Sequence, residues 1–293
     1  MYCSFQTTTH GKWILAGEHA VLRGYGALVF PIREKTLTLT YQPASSELSA
    51  NYSGSSGDDM HLLFWSVLEQ GQKLLGQSLN RLHGHFQLES NIPVGVGMGA
   101  SAALCVAMAR WFATQQLLVN DTVASFAKNL ENLFHGQSSG LDIAGASAEH
   151  GVYFQKGLEK PLIQDWQPQW FLSSCGQIGM TSHCIQQVNE LWLADPQKAA
   201  SLDKTMQAAV DKSRLALGME NPDSLSLLAE AISDGAACFR AWGLVSDTLS
   251  QHMNMLLAGG ALAVKPTGSG GGGYVLSLWD RPPQLPGVEL IAV

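Results

Sequence analysis

The sequence predicts an α+β protein of two domains, and three observations carry that expectation. A chain of 293 residues, 46% of them hydrophobic, can bury a large core, and this length fits one or two domains. The N-terminal part alternates apolar and polar residues as strands do before helical spacing sets in. Beyond Trp166 the pattern changes to long helical stretches, followed by an apolar run, a glycine run and a second apolar run. The expected domains are residues 1–170 and 171–293.

Alternation in Trp13–Leu15, Ala27–Ile32 and Thr36–Tyr41 marks strands, and the turn-rich stretch Pro43–Asp59 reads as an exposed connection. His61–Leu75 has helical apolar spacing, Phe86–Ile92 reads as a strand, and Ser101–Leu118 is an Ala-rich helix that follows a glycine loop. The next helix starts near Asn120 or Asp121, either of which is a good N-cap. It places Val123, Phe126, Ala127, Leu130, Leu133 and Phe134 on one face and ends before Gly136. A short helix follows from Gly140 to about His150, capped by Ser138 or Ser139, ahead of the strand-like Gly151–Gln155. Helices are then expected at Pro196–Leu217, Asp223–Trp242 and Ser246–Leu257, and apolar strand-like runs at Ala261–Val264 and Tyr274–Trp279.

Composition narrows the function. A net charge of −7, with 17 Lys and Arg and no basic run, gives no footprint for a nucleic-acid backbone. A nucleotide is still compatible, because backbone N–H groups and one cation can hold a phosphate on an acidic protein. The five cysteines, Cys3, Cys105, Cys175, Cys184 and Cys238, are odd in number and form no CxxC pair, so neither a disulfide framework nor a zinc site is expected. No apolar run approaches the roughly 18 residues of a membrane span, and the first residues lack the order of a signal peptide. A reducing, cytoplasmic setting without a membrane partner is the expectation.

Three segments carry candidate chemistry. In Pro93-Val-Gly-Val-Gly-Met-Gly-Ala-Ser-Ala-Ala103 the glycines remove side chains that would keep a phosphate from the backbone, and a helix begins directly after them. Unpaired N–H groups and the positive dipole end make that junction an anion site. The segment is not a P-loop, since no Gly-Lys-Ser or Gly-Lys-Thr follows, and it fails strict G-x-G-x-x-G. In Glu131-Asn-Leu-Phe-His-Gly-Gln-Ser-Ser-Gly-Leu-Asp142 two carboxylates flank a helix break. Glu131 borders the apolar face, where a half-buried carboxylate needs a partner such as Mg²⁺. Asp142 lies in the first turn of the next helix, where the dipole favours its charged form and keeps it able to accept a proton. The third segment, Lys265-Pro-Thr-Gly-Ser-Gly-Gly-Gly-Gly273, reads as a close backbone approach to a ligand rather than a linker, since only about twenty residues follow it. At the N-terminus, Gly11-Lys-Trp-Ile-Leu-Ala-Gly-Glu-His-Ala20 adds a lone Lys and a Glu–His pair. A helix-edge Glu, a helix-start Asp and a buried histidine are the plain structural readings of these residues one at a time.

In this order and spacing the segments resemble the GHMP kinases. Pro93 to Ala103 is similar to the family's nucleotide loop, Gly268 to Gly273 to its third motif, Gly11-Lys12 with Gly17 to Leu22 to its first, and His135-Gly136-x-x-Ser139-Gly140-x-Asp142 to its catalytic segment. The resemblance implies an N-terminal domain like ribosomal protein S5 domain 2, a ferredoxin-like C-terminal domain, and ATP at their junction. It implies ATP and Mg²⁺ as cofactors and a small-molecule alcohol as acceptor.

By position, Asp142 would accept or orient the hydroxyl proton with Lys12 beside it. Pro93, Gly95, Gly97, Met98, Gly99, Ala100, Ser101 and Ala102 would bind the nucleotide, and Ser101 and Glu131 would hold Mg²⁺. Lys12, Glu18, His19, Asp142, Ser182, Gly270 and Gly271 would line the substrate, with Thr181-Ser182-His183 meeting a carboxylate. Four positions depart from the family pattern: His10 stands for a usual Pro, Ala100 for a Ser, Ser138 for a Pro and Ser269 for an Ala. A phosphorylated acceptor would call for more Lys or Arg near the motifs than this chain has. A silent ligand sensor would have no need of Lys12, Ser101, Glu131 and Asp142 together. A homodimer is left open.

Overall fold

The computed structural model describes residues 2–79, 82–136 and 138–293. Its elements run, in chain order, β1 (Phe5–Ala16), β2 (Ala27–Glu47), β3 (Ser49–Ser53), α1 (His61–Leu74), β4 (His83–Ser90), α2 (Ala100–Thr114), α3 (Val123–His135), α4 (Leu141–Ser147), β5 (Val152–Gln155), β6 (Leu158–Pro161) and β7 (Gln169–Ser174). There follow α5 (Thr181–Ala194), α6 (Pro196–Leu217), α7 (Ser224–Ala241), α8 (Asp247–Ala258), β8 (Ala263–Pro266), β9 (Tyr274–Trp279) and β10 (Ile291–Ala292). By packing, the chain divides into two units. One holds Met1–Lys12, Pro31–Val94 and Met98–Glu149, and the other holds Trp13–Phe30, Gly95–Gly97 and His150–Val293.

In the first unit β2 pairs antiparallel with β4, from Leu37 opposite Ser90 to Gln42 opposite His85, and β4 pairs parallel with β3. The alternation of β4, with Phe86 and Leu88 buried and Gln87 and Glu89 outward, is that of a strand with one covered face. The helix α2 is apolar all round and buried from Ala102 to Ala109, as befits a central helix. Its Trp111 and Phe112 join Tyr41, Phe64 and Phe86 in an aromatic core, with Phe86 and Trp111 centroids 5.1 Å apart. Thr9 Oγ1 donates to the Ala103 carbonyl at 3.0 Å, tying β1 to the first turns of α2.

In the second unit Ala27–Val29 pair with β5, which continues to β6. A separate antiparallel sheet runs β10-β7-β9-β8. The helices α6 and α7 pack on each other, and α7 also packs on β8. Trp13 and Phe30 stack at 4.6 Å and Trp170 meets them edge-to-face at 4.9 and 5.3 Å, and Leu249, Met253, Leu256, Val264, Val275 and Trp279 form a further buried cluster.

Several sequence expectations need correction. The stretch Pro43–Asp59 is not only a connection: β2 continues to Glu47 and β3 occupies Ser49–Ser53. Its Ser, Asn and Pro content suits a solvent-facing edge, because the backbone partners of β3 come from β4 and Tyr52 rests on Phe64. The strands expected at Ala27–Ile32 and Thr36–Tyr41 are one strand. Helix α2 ends at Thr114, and Gln116 takes a positive φ of 61° just beyond it. Leu133, placed on the apolar face of α3, is 44% exposed, and Glu131 is buried there instead. The elements β6, β7, β10 and α5 are additions to the expected set. No helix among the described residues is long and apolar enough to cross a membrane.

Candidate active site

In the first unit the site grows from three chain segments. Lys12, 3% exposed, donates its backbone N–H to the Met98 carbonyl at 2.8 Å, so β1 is registered against the glycine segment. Its ammonium lies 3.0 Å from Asp142 Oδ1 in the first turn of α4. Asp142 is 31% exposed, so the pair has one buried and one accessible member. The Lys12 stem passes over Gly99, where a Cβ would come within 2.7 Å of the Lys12 Cγ.

Glu131, 1% exposed on α3, is the third member. Its Oε2 accepts the Ser138 hydroxyl hydrogen bond, while its Oε1 is buried without a hydrogen-bond partner. Burial, and then the Asp142 charge, raise its carboxyl pKa to about 8. A buried, unsatisfied carboxylate oxygen is costly unless a cation or donor joins it. Among the described residues no cluster of three or more His, Cys, Asp or Glu could hold a metal. A cation here would therefore draw on Glu131, a hydroxyl and ligand oxygens, a set that fits Mg²⁺.

The glycine segment explains its own composition. Gly95, Gly97 and Gly99 all take φ between 80° and 85°, a region open to glycine and strained for other residues. Gly99 is the N-cap of α2 and supplies no side-chain cap to the first N–H groups of this fifteen-residue helix, a geometry that can accept an anion. Met98 to Ala102 belong to the first unit, with Ser101 in the first turn, and Pro93 is half-buried just before it. Gly95 and Gly97 belong to the second unit.

The second unit gathers the remaining motif residues. Glu18, 2% exposed, is ion-paired with fully buried Lys265 at 2.5 Å, and Lys265 also donates to the Ile14 carbonyl. His19 donates from Nε2 to the Ser269 carbonyl at 2.9 Å, since a carbonyl can only accept. Burial lowers its pKa to about 4, so the ring is neutral. Ser269 Oγ meets Thr181 Oγ1 at 3.2 Å, whereas Ser182 and His183 face outward on the first turn of α5. Gly270 and Gly271 take φ of 84° and 74°, and the Gly271 N–H donates to the Leu244 carbonyl.

Two residues of these clusters escaped the sequence reading. Lys265 was legible as a lone cation inside an apolar strand, which demands a carboxylate partner. Ser138 was seen only as a cap and as a departure from the family pattern; in the structure its hydroxyl also binds Glu131.

The matches to known proteins agree with this fold. The family model for the GHMP kinases N terminal domain matches residues 63–150, which include the glycine segment, Glu131 and Asp142. Over that stretch the chain is similar to the GHMP kinases, and with its relatives this marks it as an ATP-dependent small-molecule kinase. It is similar to the mevalonate kinase of Pyrococcus horikoshii, 24% identical over 91% of this chain and 86% of the relative. It is also similar to the mevalonate kinase of Archaeoglobus fulgidus, 28% identical over 92% and 90%. Its fold is shared with L. major mevalonate kinase, whose crystal structure holds R-mevalonate, at a TM-score of 0.77 and 22% identity over 94% of this chain and 87% of that one.

Proposed function

We propose that this chain transfers the γ-phosphoryl group of ATP to the hydroxyl of mevalonate, giving 5-phosphomevalonate for isoprenoid synthesis. The Lys12–Asp142 pair, 3.0 Å apart with Asp142 accessible, carries the reading. Asp142 accepts or orients the proton of the attacking hydroxyl, and the Lys12 ammonium offsets charge on the group in transfer. The open first turn of α2 takes phosphate oxygens through backbone N–H groups. Ser101 and Glu131 would hold Mg²⁺, which when bound offsets phosphate charge.

Mevalonate as acceptor is supported by the first motif, in which Gly11-Lys12 and Gly17 to Leu22 resemble the mevalonate kinase form, and by the mevalonate kinases among the relatives. Glu18, His19, Ser182, Gly270 and Gly271 remain the acceptor-side residues implied by the resemblance, with the Glu18 carboxylate engaged by Lys265. A coupled ADP-release assay against mevalonate, phosphomevalonate, homoserine and galactose tests the reading. The expected outcome is highest kcat/KM with mevalonate. Preference for phosphomevalonate would overturn the acceptor, and ATP turnover with none of the four would favour a silent ligand sensor.

A further inference from the structure

Ser138 makes one hydrogen bond toward each carboxylate segment of the site. Its hydroxyl, 8% exposed, donates to Glu131 Oε2 and accepts the Gly140 N–H at 3.0 Å. An N–H can only donate, so the single hydroxyl proton remains for Glu131. Gly140 is the N-cap of α4, in the left-handed region at φ 92°, and α4 carries Asp142 two residues on. The Ser138 backbone N–H donates in turn to Asn132 Oδ1 at 2.7 Å, one residue from Glu131 on α3. The two oxygens of Glu131 are thereby made unequal: Oε2 is occupied and Oε1 is left without a protein partner.

We propose that Ser138 is a positioning residue that clamps Oε2 of Glu131 to the start of α4 and so leaves Oε1 as the cation donor. The proposal rests on the reading of Glu131 as a Mg²⁺ ligand. It assigns this chain a device that a proline at 138 could not supply, because proline has neither the hydroxyl nor the N–H. Without the clamp the Glu131 side chain gains rotamers, and groups that orient metal ligands commonly alter metal affinity by about 10- to 100-fold.

The test is a titration of Mn²⁺, followed by its free-ion EPR signal, into protein saturated with ADP. Wild type, Ser138→Ala, Ser138→Cys, Ser138→Thr and Glu131→Gln are compared, each with its melting temperature. Ser138→Cys is near-isosteric and protects the test if Ser138→Ala does not fold. Ser138→Ala and Ser138→Cys are expected to weaken Mn²⁺ binding about 10-fold, Ser138→Thr to hold it near wild type by keeping the hydroxyl, and Glu131→Gln to weaken it at least as much. Mn²⁺ affinity unchanged in Ser138→Ala and Ser138→Cys while Glu131→Gln loses it would overturn the positioning role alone. Unchanged affinity in Glu131→Gln would overturn the metal assignment beneath it.

Discussion

Asp142 is at once a helix-start carboxylate and the partner of Lys12, and one substitution separates those roles. Asp142→Asn keeps the size but loses the charge that accepts a proton. The chemical step should slow ~10²–10⁴-fold while ATP affinity stays near wild type, and the melting temperature should fall somewhat because buried Lys12 loses its carboxylate. A fully active Asp142→Asn enzyme would reduce the residue to a structural partner of Lys12. His19 yields a second residue-scale prediction. Its pKa is pulled down to about 4, first by burial and then by the Arg23 and Lys265 charges, against the hydrogen bond to Ser269. Between pH 6.5 and 4 the unfolded chain binds a proton that the native chain refuses, so stability rises with pH across that window. The contribution, about 3 kcal/mol in order of magnitude, is complete above pH 6.5 and lost as pH falls toward 4. Urea unfolding at pH 7 and pH 4.5 should show the loss in wild type and a smaller one in His19→Asn; equal losses would remove His19 as the cause.

At the scale of elements, the junction into α2 depends on Gly99 for two separate reasons, its φ of 81° and the Lys12 stem against it. Any residue with a Cβ there is strained by roughly 1–2 kcal/mol and must also push Lys12 aside. Gly76 has a comparable φ of 65° with nothing within 4 Å of a built Cβ, so it isolates the strain from the clash. Gly76→Ala should lower the melting temperature and leave kcat unchanged. Gly99→Ala should lower both, with a rate loss reaching ~10²-fold if Lys12 moves by about 1 Å. Equal kcat in the two variants would mean that Lys12 adjusts without consequence. Between α3 and α4 the Ser138 and Ser139 hydroxyls accept the Gly140 and Leu141 N–H groups, but the N-cap of α4 is Gly140 and not either serine expected to cap it.

For the whole molecule, the packing units and the expected boundary at 170/171 divide the chain differently. Trp13–Phe30 and Gly95–Gly97 pack with residues from His150 onward, although they lie within the first half of the sequence. In a fragment ending at residue 170, Lys265 is missing from Glu18, Ser269 from His19 and Asp203 from Arg23. Removing one member of a buried ion pair costs about 3–5 kcal/mol, a large part of the stability of most domains. The fragment should therefore aggregate or unfold without cooperativity, while the full chain melts cooperatively. A fragment 1–170 with a sharp thermal transition and native-like near-UV circular dichroism would show instead that the sequence boundary is a folding boundary.

Local chemistry made much of this protein legible in its sequence. The glycine segment before an Ala-rich helix, the Phe126, Ala127 and Leu130 part of the apolar face of α3, and the helices α6, α7 and α8 follow from rules that act over a few residues: φ freedom and periodicity. Family resemblance then supplied the kinase reading, which the relatives support. Tertiary structure decided what depends on packing and on partners that periodicity does not reveal. It paired Glu18 with Lys265 across 247 residues, gave Ser138 to Glu131, turned Glu131 from a helix-edge residue into a buried one, and made an edge strand of a polar stretch by supplying β4 as its neighbour. Burial is the physical reason for the difference. The partner a carboxylate or an unpaired strand needs once it leaves water is set by what packs beside it, and adjacency in the sequence carries no record of that.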